Sequence, residues 1–184
     1  EVPFVTRLIE LNEVDAAWTR ARNISDVLSR ASAIATCVAR LPERERKSAV
    51  AGVLKTISGI DPQTALDDIY STFSALPPVL SNILPMIIKD QPLLLDPLKG
   101  IAPYLTGAQI SKALELVETS NDPLFVAQGA ATLVPLLDPA VARKLITQLI
   151  PRIQEEPEGA RRMRAFSALL IVTSNDQRPE LLDT

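Results

Sequence analysis

Three residue types are absent or scarce in this chain, and each shortage excludes a class of chemistry. Histidine is missing from all 184 residues, so a Ser-His-Asp triad, a Cys-His pair and a histidine-ligated metal are excluded. Cysteine occurs once, as Cys37, which rules out an internal disulfide and a CxxC metal site. Aromatic residues make up only 4% of the chain, so we expect a core of Leu, Ile, Val and Ala in packed helices.

The chain also lacks an excess of positive charge and a credible membrane segment. Its net charge of −3 gives no overall attraction to nucleic acid or anionic lipid. Residues 69–88 form an uncharged run of 20 residues, but this run contains Pro77, Pro78 and Pro85. Because a Pro-Pro pair is a natural boundary between two buried helices, we predict no membrane span. The single cysteine favours a soluble, intracellular protein.

Apolar residues recur at helical spacing along most of the chain. The first clear stripe is Val27, Ala31, Ile34, Val38 and Leu41. Comparable stripes begin at Ala49, Leu66, Ile110, Phe125 and Val141, and the last one comprises Ala160, Met163, Phe166 and Leu170. No stretch alternates with period two for long enough to indicate a strand. The pattern predicts an all-α fold in which short turns make neighbouring helices antiparallel.

Two segments 32 residues apart have nearly the same pattern. They are IAPYLTGAQISKAL at 101–114 and LVPLLDPAVARKLI at 133–146. A leucine followed by a turn residue also recurs at Leu41-Pro42, Leu76-Pro77, Leu105-Thr106 and Leu137-Asp138, with spacings of 35, 29 and 32 residues. A period of this length is typical of helical solenoids, and we interpret each copy as a helix end, a turn and a helix start.

The segment LVPLLDPAVARKLI resembles a HEAT-type repeat and, more loosely, an armadillo-like repeat. The resemblance implies antiparallel helix pairs stacked into a curved α-solenoid whose inner helices offer a surface to another macromolecule. The 101–114 copy has Thr106-Gly107 where the second copy has Asp138-Pro139, so we expect an irregular stack. The predicted fold is all-α, with antiparallel helix pairs over residues 24–172 stacked as a short, irregular α-solenoid. A closed multi-helix bundle is the alternative.

The length of 184 residues predicts a single helical domain, 1–184. The chain begins at Glu1 without an initiating methionine, so we expect this domain to be a fragment of a longer protein. We predict no catalytic residue, no metal site and no cofactor. Cys37 lies beside Ile34 and Val38, where a small buried side chain is the usual outcome. Asp67 and Asp68 are adjacent, so on a helix they point about 100° apart and do not converge on one substrate.

Six basic residues are the candidate partner-binding site: Arg143, Lys144, Arg152, Arg161, Arg162 and Arg164. They form one basic patch if the last two helices are neighbours. The alternative is an ordinary solvated helix face, because Arg-rich outer faces are common and Glu155, Glu156 and Glu158 lie close by in the sequence. The leading functional hypothesis is a protein–protein interaction scaffold or adaptor, within a regulatory protein or a bacterial secreted effector. A nucleic-acid-binding HEAT-like domain and a ligase-like or carboxylate-based enzyme are the alternatives, and the acidic net charge disfavours nucleic acid. The oligomeric state is left open.

Overall fold

A computed structural model describes residues 1–60 and 94–173. Within these two ranges the chain forms nine α-helices and no strand, which confirms the all-α prediction. The uncharged run at 69–88, the pair Asp67-Asp68 and the Leu76-Pro77 landmark lie outside the described residues. The helices are α1 (Val2–Glu10), α2 (Val14–Arg22), α3 (Val27–Val38), α4 (Glu43–Ser58), α5 (Leu95–Ile101), α6 (Gly107–Thr119), α7 (Pro123–Leu133), α8 (Pro139–Gln154) and α9 (Gly159–Val172).

Short-range side-chain hydrogen bonds explain where several helices begin. The Oδ1 atom of Asp26 accepts from the Ser29 N–H at 2.6 Å, and that of Asp138 accepts from the Ala140 N–H at 2.9 Å. Each carboxylate thereby satisfies an N–H of the first helical turn that has no partner within the helix. Proline follows Asp138 directly, at a position where the missing N–H costs nothing.

The two similar segments have the same local structure. In each, an α-helix passes into a one-turn 3-10 helix, Ala102–Tyr104 in the first and Val134–Leu136 in the second. A leucine in extended conformation then follows, Leu105 or Leu137, and the next helix begins two residues later. Both segments are therefore a helix end, a turn and a helix start.

The odd-numbered helices of the described residues pack on one another in series. Helix α1 packs on α3, α3 on α5, α5 on α7, and α7 on α9. Helix α2 packs on α1 and α3, α4 packs on α3, α5 and α6, and α8 packs on α7 and α9. Helices α3 and α5 approach closely at Gly100, which has no side chain: a Cβ added there would lie only 2.8 Å from the Cβ of Ala35. One aliphatic core runs through all of these contacts.

Several apolar residues of the predicted helical stripes are exposed instead, among them Val27, Val141 and Met163. Val27 and Val141 lie in the first turns of α3 and α8, where the neighbouring helices no longer cover them. Met163 in α9 is 66% exposed, because the buried face of that helix contains Arg161, Ala165, Phe166 and Leu169. In the described residues, no helix is long and apolar enough to cross a membrane.

Candidate functional site

Helices α2, α3 and α4 enclose an open groove of about 680 Å³. Helix α2 forms one wall, α4 forms the other, and the first half of α3 lies between them. The residues that line the groove are Asp15, Trp18, Thr19, Arg22, Arg30, Ala31, Ile34, Glu45, Ser48, Ala49, Gly52, Val53 and Thr56. This volume lies within the range of ligand-binding clefts in proteins.

The groove has apolar residues at its floor and polar residues along its rim, and its accessible surface is about equally polar and apolar. Ala31, Ala49 and Val53 are buried, and Ile34 is half-buried beside them. On the α4 wall, short side chains recur once per turn, and no atom lies within 4 Å of a Cβ added to Gly52. The α4 wall is therefore low, and the groove is open to a large partner on this side.

The α2 wall contains Trp18, the only tryptophan of the chain. The Cζ atom of Arg22, one turn later, lies 5.7 Å from the centroid of the Trp18 ring. A guanidinium at this distance from an aromatic face is attracted by the ring, which holds both groups on the groove side of α2. Trp18 is half-buried, so its ring remains accessible to a bound partner.

Arg30, in the first turn of α3, is tied to the connection between α2 and α3. Its Nη1 atom donates to the carbonyl oxygen of Ile24 at 2.8 Å and to that of Ser25 at 3.3 Å. Buried carbonyls need such donors, so Arg30 stabilises the turn that closes one end of the groove.

Among the six predicted basic residues, Arg152, Arg161 and Arg162 form hydrogen bonds or ion pairs that join separate parts of the fold. Arg152 caps the end of α6, with Nη1 donating to the carbonyl oxygen of Glu118 at 2.9 Å and Nη2 to that of Ser120 at 2.6 Å. Arg162 donates to the carbonyl oxygen of Glu156 at 2.9 Å, in the turn between α8 and α9. A cation at the carbonyl end of a helix is favoured by the helix dipole as well as by the hydrogen bonds.

Arg161 is the most enclosed of the three, with 7% of its surface exposed. Its Nη2 atom lies 2.6 Å from Oδ1 of Asp122, and its Nε atom lies 3.5 Å from Oε2 of Glu156. Asp122 also caps α7 by accepting from the Leu124 N–H at 3.0 Å. Arg161 therefore joins the start of α7 to the turn between α8 and α9. Arg143, Lys144 and Arg164 are exposed.

The single cysteine of the chain lies in the hydrophobic core. Cys37 is fully buried, as expected, and burial raises the pKa of its thiol to about 11, so the reactive thiolate is scarce at neutral pH. Within residues 1–60 and 94–173, no group of three or more Asp, Glu or Cys side chains could hold a metal ion.

The sequence patterns did not predict the groove. Trp18 lies in a helical pattern with Val14 and Ala21, and packing is the ordinary interpretation of such a residue. The available signal was the pairing of Trp18 with Arg22 one turn later, together with short residues at Ser48 and Gly52. Comparison of the chain with models of protein families, with curated protein sequences and with solved structures gives no match.

Proposed function

We propose that this chain is a protein-interaction module, a scaffold or adaptor of stacked helix pairs that binds another protein in the groove between α2, α3 and α4. The observation that carries the proposal is the groove itself, with its apolar floor and an accessible Trp18 in one wall. Tryptophan is enriched at the energetic centres of protein interfaces, because its large ring is desolvated on binding.

The packing order of the helices supports a solenoid of the HEAT-like kind as the scaffold. In such a stack equivalent helices of successive pairs pack on each other, as α1, α3, α5, α7 and α9 do among the described helices. The matched boundaries around Leu105 and Leu137 fit one structural unit used twice.

The charges of the groove favour a protein over a nucleic acid. Its lining contains two acidic residues, Asp15 and Glu45, and two basic residues, Arg22 and Arg30. A nucleic-acid site needs an excess of cations to displace counterions from phosphate, and a balanced lining provides none. Arg161, the most enclosed of the predicted basic residues, is paired with carboxylates inside the fold.

Site-specific photo-crosslinking, carried out in the cell that naturally makes this protein, tests the proposal. A photoreactive residue replaces Thr19 in the groove, and a matched control replaces Thr147, an exposed threonine in α8. We expect a discrete protein adduct from position 19 that is absent from position 147. The adduct should also disappear when Gly52→Trp fills the groove, since Gly52 has free space beside it. Equal adducts from both positions, or none from position 19, would contradict the proposed function.

A further inference from the structure

We infer that the groove between α2, α3 and α4 binds an amphipathic helix of the partner, with basic side chains at one end of that helix and acidic side chains at the other. The inference rests on the proposed function and specifies the partner's chemistry. Three features of the groove lead to it: the order of its charges, the lack of ion pairs for its carboxylates, and the shape of its floor and walls.

The basic end of the groove is set by Arg22 and Arg30. Arg22 is the last residue of α2, and Arg30 is hydrogen-bonded to the carbonyls of Ile24 and Ser25 in the turn that follows. Both guanidinium groups therefore lie at the end of the groove where α2 passes into α3.

The acidic end is set by Asp15 and Glu45. Asp15 lies in the first turn of α2, seven residues and so about 10 Å before Arg22. Glu45 lies in the first turn of α4, which begins after α3 has ended and the chain has turned back through residues 39–42. Because helices joined by such short turns are antiparallel, the starts of α2 and α4 lie at the same end of the groove, opposite Arg30.

These acidic groups are available to a partner. In the described part of the chain, the ion pairs involve other residues, and neither Asp15 nor Glu45 takes part in one. Arg22 contacts the Trp18 ring, which leaves the edge of its guanidinium able to donate. Charges at opposite ends of one groove favour a partner with the complementary order and repel one with a single sign of charge.

The shape of the groove selects a helix over an extended segment. An extended segment needs partners for its backbone N–H and C=O groups, such as a sheet edge or amide side chains; residues 1–60 and 94–173 contain no strand, and the groove lining contains no Asn or Gln. A helix satisfies its own backbone, and the low wall at Ser48 and Gly52 leaves room for a ridge of larger side chains. The lined part of α4 runs from Glu45 to Thr56, about 16 Å or three turns of a partner helix.

Selection from a library of helical peptides tests the inference with the full chain. The probe is a displayed library of alanine-based helices, four turns long, with leucines fixed along one face and the flanking positions randomised. Peptides that bind the Gly52→Trp variant, whose groove is filled, are removed. We expect the retained peptides to have Lys or Arg at one end and Asp or Glu at the other, and to change the fluorescence of Trp18, the only tryptophan.

Two charge reversals give the matched controls. On the Arg22→Glu variant, which leaves Arg30 beside a new carboxylate, the selected peptides should lose their acidic preference at that end. On Glu45→Lys, which leaves Asp15 beside a new cation, they should lose their basic preference at the other end. A peptide selected on the unmodified chain should bind either variant about fivefold more weakly, as expected for one rim charge pair. A proline in the middle of the peptide should abolish binding, because the helix is broken.

Three results would overturn the inference: no enriched peptides, enriched peptides without ordered charges, or the same peptides on the unmodified chain and both variants. These results are distinguishable from failure of the proposed function. If Thr19 still forms a specific adduct in the cell, the protein binds a partner in the groove but not through a charge-ordered helix. If Thr19 forms no adduct although ordered helices are selected, the helix preference stands and the proposed function in the cell fails.

Discussion

Substituting Arg161 with methionine removes the cation between two carboxylates and keeps an unbranched side chain of similar length. In the native protein Nη2 of Arg161 lies 2.6 Å from Oδ1 of Asp122, and Nε lies 3.5 Å from Oε2 of Glu156. The side chains of Arg161 and Glu156 are 8% and 9% exposed, whereas that of Asp122 is 31% exposed. After the substitution, Glu156 is a buried carboxylate without a cation, while Asp122 retains partial access to water.

Removing one partner from a buried ion pair costs about 3–5 kcal/mol, because the remaining charge is left without compensation. The exposure of Asp122 reduces this cost, so we expect a loss of about 3 kcal/mol in the free energy of unfolding. With a urea dependence of about 2 kcal/mol per molar for a chain of this size, the unfolding midpoint should fall by about 1.5 M.

Equilibrium urea denaturation, followed by far-UV circular dichroism and by Trp18 fluorescence, measures this loss, and coincident curves show two-state unfolding. The control is Arg162→Met, which removes a single hydrogen bond to the carbonyl oxygen of Glu156 and should cost about 1 kcal/mol. The triple variant Arg161→Met/Asp122→Asn/Glu156→Gln should recover most of the stability, since asparagine still caps α7. An Arg161→Met variant that unfolds within about 0.5 kcal/mol of the native protein would refute the role of this buried cation, and so would a triple variant no more stable than the single one.

Three further predictions concern backbone packing, the buried thiol and the matched helix starts. Gly100→Ala should lower the free energy of unfolding by about 1–3 kcal/mol, because the added Cβ would lie 2.8 Å from the Cβ of Ala35 in α3. Gly52→Ala should raise it by about 0.5–1 kcal/mol, because the added Cβ meets no atom within 4 Å and alanine favours the helix. Urea denaturation measures both changes, and changes of the same sign would contradict the prediction. Burial raises the pKa of Cys37 from 9.0 to about 11, so the folded state keeps a proton that the unfolded chain has lost. Stability from this group should be fully present below pH 9.0 and be lost as the pH rises towards about 11, as measured by the difference in unfolding free energy from Cys37→Ser; a pH-independent difference would contradict the assignment. Thr106 and Asp138 are the N-cap residues of α6 and α8 at equivalent boundaries, so Thr106→Ala and Asp138→Ala should each lower the free energy of unfolding by about 1 kcal/mol. Thr106→Asp should leave it nearly unchanged. A large loss of unfolding free energy in Thr106→Asp would show that the two boundaries are not equivalent.

The burial of Arg161 among the predicted basic residues could not be predicted from the sequence. The spacing of Arg161, Arg162 and Arg164 on one helix was visible, and it favoured a solvated or partner-binding face. Burial of Arg161 depends on Asp122, which lies 39 residues earlier in the chain. Such a pairing has no local signature, because the two residues meet only after α7 and α9 have packed.

The helices and their boundaries were predictable because the interactions that form them are local. Asp138 bonds an N–H two residues away, and Thr106 bonds Gln109 three residues away, so each signal lies within one turn of sequence. The groove lined by Trp18 required three helices to pack, and its opposite charges came together from α2, α3 and α4. The all-α character of this protein follows from interactions between residues close in sequence, which the sequence shows directly. Which charged side chains form buried ion pairs and which line the groove depends on how the apolar faces of distant helices pack, and only the tertiary structure shows this.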